Sequence, residues 1–399
     1  MDTNHLQNSR WLLPAGISEL LPPQAEALES LRRKLLDLYR GWGYDLIYPP
    51  LLEYLDSLLT GTGNDLDLET FKLTDQVTGR QLGLRADITP QAARIDAHQL
   101  QRDVPVRLCY LGEVLRTKSS GYLNSRCPLQ IGAELYGHQG VESDVEILAL
   151  MVETLQLTQI ENIHIDLGHV GIFRELSRQA ALLPHQEAFL FDALQRKAIP
   201  EIQAYVASLS ISEMQRQWFC DLSELNGDVQ VLAIASKLFF LASDPVRAAL
   251  ANITTIASQL ANRYPNITLH FDLAELRGYG YHQGLVFAAF LPGHGQEIAR
   301  GGRYDGIGKV FGRARPATGF SADLITLVAL GKGSVMGTSK KGIFAPTAED
   351  VEMQDLVKKL RLAGEIVIAA LPGQTGLAAD MDCDRHLVKV AEAWEVQPI

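Results

Sequence analysis

The apolar positions of the chain alternate between helical and strand periods. Leu28, Leu31, Leu35, Leu38 and Trp42 recur at helical spacing after Pro22-Pro23, with Arg32, Arg33 and Asp37 between them, and predict an amphipathic helix ended by Gly41 and Gly43. Residues 44–48 form a β-rich run that Pro49-Pro50 closes. Short β-prone runs around Thr78-Gly79 predict a hairpin within 67–85. β-prone ends at 106–110 and 133–136, joined by a polar stretch containing Gly121, predict two strands and a long loop. Ser143 with Glu146 three residues on has the form of a capping box. The positions after it, Val145, Ile147, Leu148, Met151, Val152 and Leu155, predict a helix buried on most sides.

A strand at 163–167 leads into almost unbroken helical spacing over about 171–262, which is taken as an inserted helical subdomain. Strand patterns return at 267–271 and 285–287, and a buried helix is expected from about 319 to 331. Residues 331–334 look like a linker, and 340–399 like a small C-terminal α/β domain whose clearest strand is 366–371. The expected architecture is α+β. Its body, residues 1–330, is mostly antiparallel, because hairpin signals outnumber strand-helix-strand alternation.

Composition narrows the class. With 399 residues, 47% hydrophobic and 21% charged, the chain can bury a large core. A net charge of −11 opposes broad contact with a phosphate backbone, so no tRNA is expected as a partner. Cys109, Cys127, Cys220 and Cys383 lie too far apart in sequence for a CxxC metal site or a disulfide framework, and neither metal nor cofactor is expected. No apolar run has the length of a membrane span and the first sixteen residues lack a signal-peptide pattern, so the expectation is a cytoplasmic protein that meets no membrane.

Candidate chemistry concentrates in three segments. In 107–137, Arg116, Gln130 and Glu134 are polar positions among strand-like apolar ones, and Gln130 and Glu134, four apart, project from one face of an extended strand. That face fits either a solvated sheet surface or the floor of a pocket, in which Glu134 would neutralise a ligand's amino group and Arg116 its carboxylate. Residues 276–284, LRGYGYHQG, fit either a glycine-rich turn over core aromatics or a loop that wraps a planar ligand. The GGRYDG run at 301–306 lacks the Lys-Ser/Thr ending of a phosphate-binding loop, and that reading is rejected.

These motifs, taken in order, resemble the class II aminoacyl-tRNA synthetases in their histidyl form. Residues 43–53 resemble the first class signature, 84–89 the loop LRPEGT, 107–137 the second signature, 277–287 the first histidine-specific signature, and 301–306 the second. The resemblance covers about residues 10–330 and implies a histidine pocket. In it Asp87 and Glu134 would hold the α-amino group and Thr89 and Gln130 would flank it, while Arg116 and Arg277 would lie toward the carboxylate. Tyr281, His282 and Tyr304 would surround the imidazole. Asp87 stands where those synthetases have glutamate, and His282 where they have tyrosine.

The ATP half of the resemblance is broken. The third signature corresponds to 316–327, but its glycine is Asp323, its glutamate Ile325 and its arginine Thr326. In the second signature Lys118 replaces a glutamate and Pro128 the phenylalanine that stacks on adenine. Loss of several preorganised groups together implies negligible activation of histidine by ATP. The ending, with Leu371-Pro372-Gly373 and residues 384–388, is similar instead to the regulatory subunits of ATP phosphoribosyltransferase. That resemblance implies a non-catalytic, histidine-sensing subunit of histidine biosynthesis, partnered with a short catalytic subunit. The rivals are a divergent histidyl-tRNA synthetase and an interaction module with a relic pocket. The class resemblance also implies self-association through residues 43–53, with Tyr44, Leu46 and Tyr48 on the strand face concerned; burial of that face in the monomer core is the alternative.

Overall fold

The computed structural model describes residues 11–60, 64–119, 125–276, 278, 279, 281–331 and 341–399, with Asn64 and Asp65 as backbone only. Helix Gln24–Gly41 buries Leu31, Leu35 and Tyr39, which its four-residue spacing puts on one face. Gly43, at φ +81°, then turns the chain into the short strand Asp45–Ile47. Tyr44 precedes that strand and is buried, its hydroxyl donating to Glu146 Oε1 at 3.0 Å.

One sheet of nine strands organises the first compact unit, residues 1–335. Across it run Asp45–Ile47, Val106–Glu113, Leu129–Tyr136, Ala317–Asp323, Ala299–Arg303, Leu285–Phe290, His164–His169, Thr268–Asp272 and Asn226–Gly227. Neighbours are antiparallel apart from two pairs, Asp45–Ile47 with Val106–Glu113 and His164–His169 with Thr268–Asp272. A second sheet joins Leu52–Tyr54, Gln81–Leu84 and Phe71–Thr74. In it Phe71–Thr74 and Gln81–Leu84 form the hairpin expected around Gly79, preceded by helix Asn64–Glu69.

Helix Val141–Leu157 packs on the main sheet, with Ile147, Leu148, Met151, Val152 and Leu155 fully buried. The capping box expected at Ser143 is not there. The helix opens two residues earlier, and the Ser143 hydroxyl donates back to Gly140 O at 2.7 Å. Glu146 is drawn away to Arg107, whose Nε lies 2.6 Å from it. Between strands His164–His169 and Thr268–Asp272 the chain is helical apart from the two-residue strand Asn226–Gly227: Val170–Gln179, Pro184–Gln195, Ile199–Ser208, Glu213–Glu224, Gln230–Leu238 and Asp244–Arg263.

The helix expected over 319–331 is half strand. Residues Ala317–Asp323 are held between Leu129–Tyr136 and Ala299–Arg303, and only Leu324–Leu330 is helical. Two ready-made ladders outweigh local helical preference.

The second unit, residues 336–399, has a sheet ordered Val367–Ala369, Gly342–Ala345, Cys383–Val390 and Ala393–Pro398, packed by helix Val351–Leu362 through Ile343, Met353, Val357 and Leu387. Asp350 caps that helix and also accepts from Trp394 Nε1 at 2.9 Å. No helix among the described residues is long and apolar enough to cross a membrane.

Candidate functional site

Strand Leu129–Tyr136 lies inside the main sheet, and period two places Gln130, Gly132, Glu134 and Tyr136 on one of its faces. Glu134 is 1% exposed. Its cross-strand partner is Gly319, where a Cβ would fall on the carboxylate oxygen Oε2, so the carboxylate occupies the space that the missing side chain leaves. Gly132 makes the matching room for the Tyr110 ring, which reaches across the ladder. The Tyr110 hydroxyl donates to Glu134 Oε1 at 2.9 Å, and the Tyr304 hydroxyl donates to Oε2. Thr89 Oγ1 lies 3.1 Å from the Tyr110 hydroxyl, and Tyr136 Oη 3.4 Å from that of Tyr304.

A second carboxylate faces the same region. Asp87 Oδ1 accepts from Gln130 Nε2 at 2.8 Å and from its own turn at Thr89 N, 2.9 Å away, while Gln130 Oε1 accepts from Ile88 N at 2.9 Å. Gln130 thus spends both ends of its amide fixing the 87–89 turn. Burial pushes the Glu134 carboxyl up to about 8, and the negative charge of Asp87 adds to the shift, against the lowering by the hydroxyls of Tyr304 and Tyr110. What would relieve both carboxylates is a small cation able to donate several hydrogen bonds, such as an ammonium group.

The ring-bearing residues lie beside this floor. His282 is 7% exposed, with its ring 6.5 Å from that of Tyr304 and 4.2 Å from that of Tyr281. Burial pushes the His282 imidazole down to about 4, so it is neutral. Its Nδ1 lies 3.3 Å from Arg303 O, which places the proton on Nδ1 and leaves Nε2 an acceptor. Tyr281, by contrast, is 45% exposed and stands at the solvent side. Arg116 Nε donates at 3.3 Å to the carbonyl of Ala86, the residue before Asp87, and lies 3.8 Å from Glu69 Oε2. Arg277 lies outside the described residues. Asp87, Thr89, Gln130, Glu134, Tyr304 and His282 are therefore brought together, with Arg116 and Tyr281 at the border.

On the other side, two of the positions that depart from the third signature, Asp323 and Thr326, close on each other. Asp323 caps helix Leu324–Leu330: it accepts from Ile325 N at 3.2 Å, Thr326 N at 3.3 Å and Thr326 Oγ1 at 2.6 Å, and also from Leu129 N at 3.0 Å. Thr326 is buried, and Pro128 is buried with its carbonyl accepting from Val114 N at 3.1 Å. Lys118 is exposed. Where the synthetase pattern has a guanidinium, this chain has a hydroxyl turned back onto its own helix cap.

Three contributors were not singled out from sequence. Tyr110 and Tyr136 complete the carboxylate network; Tyr136 sits two residues from Glu134 and hence on the same face, a signal that period two alone could have given. Arg303 is the third. Buried within GGRYDG, it pairs with Asp144 at 3.0 Å and donates to Ser143 Oγ at 2.8 Å, tying the segment that carries Tyr304 to the start of helix Val141–Leu157.

Comparison with known proteins identifies the fold and the family. Residues 16–327 match the family model described as Histidyl-tRNA synthetase, and residues 340–397 the model described as ATP phosphoribosyltransferase subunit HisZ C-terminal domain. The histidyl-tRNA synthetase of Nostoc sp. PCC 7120 is similar in fold, with a TM-score of 0.76 at 20% identity over 95% of this chain and 91% of that one. A Bacillus halodurans structure described as an ATP phosphoribosyltransferase regulatory subunit/histidyl-tRNA synthetase gives a TM-score of 0.81 at 28% identity over 93% and 95%. The fold is thus that of the histidyl-tRNA synthetase-like class II proteins. The ATP phosphoribosyltransferase regulatory subunit of Thioalkalivibrio sulfidiphilus is 57% identical over 98% of this chain and 98% of its own length. The chain belongs to the family of ATP phosphoribosyltransferase regulatory subunits, a non-catalytic branch of that class.

Proposed function

We propose that this chain binds L-histidine on the Glu134 floor and, in the cytoplasm, passes that occupancy to a short catalytic subunit of ATP phosphoribosyltransferase, giving feedback control of histidine biosynthesis. The observation that carries the reading is the buried carboxylate of Glu134, held by two tyrosine hydroxyls beside the second carboxylate of Asp87. Such a site is complementary to an α-ammonium group. Arg116 and Arg277 would meet the ligand carboxylate, and His282, Tyr281 and Tyr304 its ring. Feedback then follows from linkage: a ligand that favours one conformation of the assembly changes the activity of the other subunit. No tRNA, cofactor or metal enters this reading.

Calorimetry with L-histidine tests it. Glu134→Ala should weaken binding about thirtyfold, the equivalent of about 2 kcal/mol for an ammonium left without its carboxylate. Binding as tight as that of the parent would place the ligand elsewhere. Co-purification with the catalytic subunit tests the partnership.

We also propose self-association through 43–53. Strand Asp45–Ile47 ends the sheet, and Leu46, Tyr48, Leu51 and Leu52 are exposed along it, whereas Tyr44 is satisfied within the monomer. Sedimentation at micromolar concentration should show a dimer that Leu46→Asp with Tyr48→Asp dissociates; a stable parent monomer would overturn this.

A further inference from the structure

The segment that carries Tyr281 and His282 is gripped by one helix, and that helix belongs to the helical stretch, not to the sheet core. Helix Val170–Gln179 leaves strand His164–His169 and is tied to the segment from its first residue, where Val170 N donates to Gly284 O at 3.1 Å. One turn further on, Arg174 Nη2 donates to two carbonyls of the segment, Tyr279 O at 2.9 Å and His282 O at 3.0 Å. The same guanidinium lies over the Tyr279 ring, 4.6 Å from its centroid.

Tyr279 in turn is inserted into the helical layer. Its ring stands 5.6 Å from Phe173 on the same helix and 5.2 Å from Phe191 on helix Pro184–Gln195, and its hydroxyl donates to Glu187. Phe173 is wholly buried, so the anchor on the helix side is rigid. On the pocket side the segment is conformationally demanding. Gly278 has φ +69°, and a Cβ there would fall on the His282 ring, which also lies against Gly302. The position of His282 is therefore set by contacts on two sides: the sheet through Arg303 O, and the helices through Arg174.

We propose that Arg174 is a positioning residue for the ring-binding wall of the pocket, and that helices Val170–Gln179 and Pro184–Gln195 are where occupancy of the pocket is first felt. One guanidinium nitrogen that donates to two carbonyls three residues apart ties Tyr279 and His282 to a common point on the helix, as a contact to either carbonyl alone would not. A ligand ring packed on His282 and Tyr281 restrains the same backbone from the other side, so ligand and helices stabilise one arrangement and each tightens the other. The inference rests on the reading of the pocket as a histidine site.

The test uses the full chain, with L-histidine as probe. By calorimetry Arg174→Ala should bind histidine about tenfold more weakly at a melting temperature close to that of the parent, and Arg174→Lys, which keeps a charged donor, should recover most of the loss. Hydrogen–deuterium exchange on the parent should slow in 170–179 and 184–195 when histidine is added. If the parent binds histidine but Arg174→Ala binds within twofold of it, or exchange in both helices is unchanged by ligand, the clamp is overturned while the pocket stands. If Arg174→Ala does not fold, the exchange experiment on the parent decides alone. Absence of histidine binding by the parent overturns the pocket reading itself, and the clamp with it.

Discussion

The two halves of the site stand on adjacent strands and obey opposite rules. On the Glu134 side, polar groups are buried in a network that keeps a carboxyl group at a cost: burial lifts its pKa to about 8, and among the described residues its hydrogen-bond partners are tyrosine hydroxyls and not cations. On the Asp323 side every polar group closes on its neighbours, Thr326 and Leu129 N being satisfied by one cap. A buried acid whose ionisation is opposed by its surroundings can be settled by a ligand cation; a site whose acceptors and donors are consumed by its own helix leaves a ligand little to bind. On the proposed reading, the contrast separates a pocket that still takes a ligand from one that has been converted to structure.

The largest effect expected from this contrast concerns catalysis. Histidine-dependent ATP–pyrophosphate exchange should be absent, since each missing preorganised donor costs about 100- to 1,000-fold and several are missing together. Thr326→Arg alone should not restore exchange, because Lys118, Pro128 and Asp323 remain. Turnover at a rate typical of a synthetase would dissolve the distinction between the two halves. The thirtyfold loss for Glu134→Ala comes next.

A pH titration sharpens the comparison further. With its carboxyl raised to about 8, Glu134 is protonated in the empty site at lower pH and must release that proton to accept an ammonium group. Histidine affinity should therefore fall about tenfold per pH unit from 8 down toward 6, with about one proton released on binding. Calorimetry in buffers of different ionisation enthalpy reads both, and a flat profile would show that Glu134 does not change charge on binding. The smallest effect lies on the closed side. Asp323→Ala removes a helix cap and should lower stability by about 1 kcal/mol in denaturant titration while leaving histidine affinity within twofold.

Much of this was legible in the sequence because it follows from period and order. Gln130 and Glu134 share a face as their spacing requires, and the helices Gln24–Gly41 and Val141–Leu157 follow apolar stripes visible in the chain. What escaped depends on partners distant in sequence. Strand Ala317–Asp323 looks helical until its two ladders are known. Ser143 looks like a cap until Arg303, 160 residues away, claims its hydroxyl. Tyr110 looks like one more β-prone apolar residue until Gly132 is seen to leave it room. Arg174 carries no local mark at all, since an arginine on an amphipathic helix is ordinarily solvated.

The pair of glycines around Glu134 has an implication for how such a site is lost. Neither Gly132 nor Gly319 offers a ligand any side-chain atom, yet a methyl group at 319 would land where the carboxylate now rests. The vulnerability of the pocket therefore resides in two vacancies as much as in its polar groups. If the site takes histidine as proposed, drift from glycine to alanine, among the mildest exchanges in chemical terms, would close it in one step while leaving each polar residue of the site unchanged.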